Sequence, residues 1–224
     1  MAAAHMDEAR AVLGEDVLGP AEVARVFGAA APGHETPLPF TVQELRAARE
    51  YGEMLVYRVA TIGENPLTIA AMIARFGDLF DPKFLRTVGY QLKDEWGIML
   101  EPLAATETCA GGWWLVRKSV LEDSLNLPYE EQSAAVSCYA AQLGMASNLV
   151  RRRAAVEVVY DTVLCFGARQ RRLLHRSWDW SSSRTIDGGL LNVGGFTERG
   201  MQILAYSTAV RHGGLGVCPT RGPR

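Results

Sequence analysis

Trp178-Asp179-Trp180 is the densest group of chemically capable side chains in this chain, followed directly by Ser181, Ser182, Ser183 and Arg184. In an extended strand Trp178 and Trp180 point to one side, where two indoles could stack on bases or sugars. Asp179, Asp187 and His212 are the groups that a metal-assisted hydrolase or nuclease acting on a phosphate-containing substrate would use. Its carboxylates would hold a divalent ion, and Arg184 or Arg211 would hold the anion. A lysine after the second carboxylate would strengthen that pattern, and residues 151–224 contain none. Asp187-Gly188-Gly189 is also an ordinary turn sequence.

Other reaction types find less support. Cys218 follows His212 by six residues, and Arg211, His212 and Arg221 could lower a thiol's pKa; a small apolar residue ending a strand explains Cys218 equally simply. The three serines lack the G-x-S-x-G elbow of a hydrolase. His34, His175 and His212 are scattered, with no H-E-x-x-H or C-x-x-C, so no metal site is assigned. Gly194-Gly195 and Gly213-Gly214-x-Gly216 match no phosphate-binding loop. The sequence indicates no cofactor, a divalent metal entering only under the hydrolase reading.

Charge is more informative. Residues 151–224 hold 12 Arg and no Lys against 5 acidic residues, a formal +7, whereas residues 1–150 hold 11 basic against 20 acidic, a formal −9. Arginine's planar fork pairs bidentately with phosphate or carboxylate and stacks on rings. The leading expectation is therefore a non-catalytic binding module for an anionic partner, nucleic acid or an acidic protein surface. The residues expected to carry it are Arg152, Arg171, Trp178, Trp180, Arg184, Arg211 and Arg221. A competing expectation is that the acidic and basic parts neutralise each other, within one chain or across a homodimer, giving a structural homo-oligomer.

These residues must be positioned by a fold. No run of about 18 apolar residues is present, so no membrane span is expected. Met1 to Met6 has neither a basic start nor an apolar stretch and reads as a leader remaining from cloning. Residues 7–224 then form one domain, acidic and helical over 7–150, basic and α/β over 151–224. Cys109, Cys138, Cys165 and Cys218 lie at least 27 residues apart. They read as reduced thiols of a cytoplasmic protein, Cys138 and Cys165 as packing residues.

Proline–glycine punctuation marks helices over Pro20–Phe27, Pro66–Phe76, Lys83–Trp96 and Tyr129–Leu143. Thr41 and Glu44 have capping-box spacing before a helix expected to run to about Val59. Phe84, Val88, Leu92 and Trp96 form an apolar stripe. Another helix is expected from Ser147 to Phe166, ended by Gly167, with Arg151 to Arg153 in its first turns. Gly112 to Lys118 reads as a strand, and LLNVGGF with MQILAYS as a hairpin. The expected fold is α+β: a helical N-terminal two-thirds on a small antiparallel sheet formed mainly by the C-terminal third and the 112–118 strand.

Overall fold

A computed structural model describes residues 4–28, 38–83 and 97–223, and their architecture is α+β. The helices are α1 (Met6–Leu13), α2 (Pro20–Phe27), α3 (Val42–Glu50), α4 (Ile69–Arg75), α5 (Pro102–Thr106), α6 (Gln132–Gln142) and α7 (Ala155–Arg169). Between them run β1 (Val17–Leu18), β2 (Glu53–Arg58), β3 (Thr61–Ile62), β4 (Asn65–Pro66), β5 (Gly112–Arg117) and β6 (Val150–Arg152). The chain ends with β7 (Trp178–Arg184), β8 (Leu190–Thr197), β9 (Gly200–Tyr206), β10 (Leu215–Gly216) and β11 (Pro219–Arg221).

The strands form two main sheets. One has the order β1-β2-β5-β11-β6 and the other β10-β7-β8-β9, while β3 and β4 make a small ribbon. Among the described strands β1–β2 and β10–β7 pair in parallel and the other pairs are antiparallel, with an isolated parallel bridge from Phe80 to Met201. The second sheet comes entirely from the C-terminal third, whereas the 112–118 strand, expected in one sheet with it, is β5 of the first. The first is larger than the sequence implied, because β1 and β2 come from the acidic part.

Strand β2 lies where the α3 helix was expected to continue. Thr41 does start that helix: Glu44 N–H donates to Thr41 Oγ1 at 3.2 Å, and Thr41 N–H donates to Glu44 Oε2 at 2.8 Å. It stops at Glu50, and Gly52 takes φ 67° before EMLVYR, whose six residues are all buried. A short continuous apolar run has no period to separate strand from helix.

Helix α7 is the central element. Every residue from Ala155 to Cys165 is buried. Tyr160 stacks on Phe27 of α2 with ring centroids 4.8 Å apart, and its hydroxyl donates to Tyr57 O of β2 at 3.0 Å. Phe166 meets Phe196 of β8 at 5.3 Å. The expected helix start at Ser147 is corrected to Ala155: Arg151 and Arg152 belong to β6, and Arg153 follows that strand. The end moves too. Gly167 does not stop the helix but lies inside it, because a Cβ there would sit 2.8 Å from Val26 Cγ1, so the glycine permits close packing of α2 on α7. The chain leaves α7 through Gln170 in the left-handed region.

Other differences are smaller. Asn65–Pro66 is strand β4, and α4 starts at Ile69 with Thr68 as its cap. The stripe from Phe84 to Trp96 and His34 lie outside the described residues. Cys138 is exposed rather than packed, while Cys109, Cys165 and Cys218 are buried; all four are free thiols. Met6 opens α1, and Ala4 N–H donates to Phe40 O at 2.8 Å. Among the described residues no helix is long and apolar enough to cross a membrane.

Candidate functional site

The arginine run Arg151-Arg152-Arg153 sorts its side chains by the strand's alternation. Arg151 and Arg153 turn toward α7, and Arg152 turns the other way.

On the α7 side lies a buried ionic lattice. Arg58 of β2 grips Asp161 with Nε at 2.9 Å and Nη2 at 2.6 Å, and donates through Nη1 to Glu157 Oε1 at 2.7 Å. Arg153 donates from Nη1 to Asp161 Oδ2 at 2.9 Å and from Nε to Asp179 Oδ2 at 2.9 Å. Arg151 forks onto Glu157 at 2.7 and 2.6 Å and lies over the Trp114 ring, 4.5 Å from its centroid. Glu157 also caps its own helix by accepting from Ala154 N–H at 2.8 Å. Three guanidinium groups thus meet three carboxylates, which is how an interior of low dielectric tolerates charge.

The lattice sets its own acid–base behaviour. Burial would raise Glu157, yet the bonds from Arg151 and the charge of Arg58 hold it down at about 2. Burial pushes Asp179 up, against the lowering by Arg153 and by Cys218 N–H, which donates to it at 2.7 Å. Burial also raises the Cys218 thiol, with Asp179 adding to it, so a reactive thiolate there is not supported.

On the opposite side Arg152 stands at a groove of about 550 Å³ between α6, β6 and β7, with Tyr129, Ser133, Ser137, Asn148, Val150 and Ser182 among its walls. Its Nη2 donates to Tyr129 O at 2.7 Å, and its Nη1 to Gln132 Oε1 at 3.0 Å and Trp180 O at 3.3 Å. The guanidinium lies 4.0 Å from the Tyr129 ring centroid. Every hydrogen-bonded partner is neutral. Among the described residues no carboxylate lies within ion-pair distance, and Asp179 and Glu130 attract it only from farther away. Burial lowers its pKa, because partly desolvating a cation weakens it.

The remaining expected residues are dispersed. Trp180 is fully buried against Tyr129, centroids 5.5 Å apart, so the paired-indole platform is corrected to one core ring and one half-buried ring. That second ring, Trp178, meets His212 edge-on at 5.6 Å. Arg221 is buried and grips Glu53 at 2.6 Å, which also accepts from the Tyr139 hydroxyl at 2.8 Å. Arg171 pairs with Asp16 at 2.7 Å and Arg211 with Glu131 at 2.8 Å. Arg169 likewise meets Glu22 at 3.0 Å. Arg184 is exposed, 3.5 Å from Gly188 O.

Asp179, Asp187 and His212 are not brought together. Asp179 pairs in register with Gly216 near one end of β7, while Asp187 sits in the turn beyond the other, accepting from the Thr185 hydroxyl. Asp179 to Arg184 alone spans about 16 Å of strand. His212 is exposed, and its Nδ1 accepts from Gly214 N–H at 3.0 Å. Among the described residues no group of three or more His, Cys, Asp or Glu side chains is placed to hold a metal ion.

Sequence reasoning included Arg152 but not the groove around it. Ser133 and Ser137 were the available signal, since four-residue spacing puts both on one face of α6. No protein-family model, no curated protein and no solved structure matches this chain.

Proposed function

We propose that this protein is a non-catalytic binding module that holds an anionic group of a macromolecular partner in the groove at Arg152. One observation carries the reading: a half-buried guanidinium, hydrogen-bonded only to neutral acceptors, opens onto a hydroxyl-lined groove with no carboxylate of its own. Such a cation gains more from an incoming anion than a solvated surface arginine does, because partial burial weakens screening. Ser133 and Ser137 supply hydroxyl donors for the remaining lone pairs of a carboxylate or phosphate, while the Ser182 hydroxyl is given to Arg153 O at 3.3 Å. The expected tryptophan pair does not support this function, and Arg221 serves the interior.

The test is a titration of the Arg152 Nε–Hε resonance with inorganic phosphate and with acetate at low and high salt. Saturable shifts that weaken with salt, and that vanish in Arg152→Met while the rest of the spectrum persists, are expected. Shifts spread evenly over the exposed arginines Arg176, Arg184 and Arg199 would defeat the reading.

A further inference from the structure

The chemistry around Arg152 also bears on the kind of partner, on the premise that the groove binds an anion as proposed. Strand β6 is an edge: in its sheet it pairs with β11 alone. Arg152 stands opposite Pro219, which has no N–H to give. The two therefore form a non-hydrogen-bonded pair, and the Arg152 main chain faces the free edge, where its carbonyl is met by Nη1 of Arg151 at 3.0 Å. The groove runs beside this edge, with Ser133 and Ser137 of α6 on its wall and the largely buried Val136 and Val150 beneath.

An open edge and a single uncompensated cation beside it are elements by which an extended peptide adds to a sheet. Main-chain bonds give affinity, and alternate side chains give selectivity. Nucleic acid fits less well. Proteins that bind it strongly neutralise about 6–10 phosphates. Here Arg151, Arg153, Arg169, Arg171, Arg211 and Arg221 are already paired with the chain's own acids.

From this we infer that the groove beside β6 takes an extended peptide segment of a partner protein, which places one Asp or Glu carboxylate on Arg152 and continues the five-stranded sheet at its edge. The carboxylate gives Arg152 the counter-ion it lacks, and the added backbone gives the edge its missing partner.

Display selection from a randomised decapeptide library on the full chain tests this. Enriched peptides are expected to share one acidic position flanked by β-branched residues. As synthetic peptides they should bind at least tenfold more weakly to Arg152→Met. Ser137→Trp, which fills the groove from an exposed position without touching Arg152, should weaken them similarly; melting curves of both variants confirm folding. No enrichment, enrichment without a carboxylate, or binding to either variant as tight as to the wild-type chain overturns the inference. In a parallel arm with a thymidine 20-mer, Arg152-dependent binding without peptide enrichment overturns the peptide and leaves the anion reading standing. Loss of the phosphate and acetate shifts at Arg152 removes both.

Discussion

Arg153 and Arg152 are adjacent in sequence and occupy opposite electrostatic settings. Arg153 is wholly buried between Asp161 and Asp179, part of a set whose charges cancel. Arg152 is half-buried among neutral carbonyls and a tyrosine ring, and its charge is not cancelled nearby. The same residue type therefore does two jobs. In the lattice it joins β2, α7 and β7, and only carboxylates make its burial tolerable. In the groove its positive potential stays available to something outside the chain.

The contrast breaks most sharply at Asp161, which Arg58 and Arg153 share. Asp161→Asn should lower the unfolding free energy by about 3–5 kcal/mol, since removing one member leaves buried charge uncompensated. A urea midpoint close to wild type would show that the lattice does not hold the fold. Arg221 and Glu53 form a second buried pair, so Glu53→Gln should destabilise by about 3 kcal/mol, and the double change Glu53→Leu with Arg221→Met should recover much of that. Both are read from denaturant melts.

Acid provides a graded version. Glu157 titrates at about 2 in the fold against an ordinary 4.5, so its contribution is fully present above about pH 4.5 and is lost as pH falls toward 2. At neutral pH this amounts to about 3 kcal/mol. Asp179, raised by burial, has the opposite sign and reduces the net acid loss. Glu157→Gln should flatten the stability curve over that interval, and a parallel curve would contradict the assignment.

Effects on the other side are smaller in stability. Arg152→Met should lower the unfolding free energy by about 2 kcal/mol, because it removes hydrogen bonds from a cation to three neutral acceptors and its contact with the Tyr129 ring, while abolishing anion-dependent shifts in the groove. Equal destabilisation by Arg152→Met and Asp161→Asn would erase the contrast. Smallest of all, Arg211→Ala removes a pair in which both side chains are about half exposed, and should shift stability by only a few tenths of a kcal/mol.

Much of the fold was legible in the residues themselves. Pro20 and Gly28 bracket α2 because each satisfies a helix end in its own way, and the 112–117 strand and the hairpin from Leu190 to Tyr206 follow from β-rich runs bounded by glycine. Strand β2 was not legible, since an unbroken apolar run carries no period. The arginine run reads as the start of a helix, although β6 holds it extended against β11. Tyr129 and the α6 serines were invisible as a site because they reach Arg152 only through the packing of α6 beside β6.

Composition and spacing alone determined the fold class and the segregation of charge between the two parts. They did not determine which guanidinium would meet a carboxylate. That depended on long-range contacts: Arg58 and Asp161 are 103 residues apart, and Arg221 and Glu53 are 168 apart. Coulomb attraction in a poorly screened interior acts on distance in space, and the tertiary structure alone placed acids beside every arginine of the lattice and, among the described residues, none within ion-pair distance of Arg152.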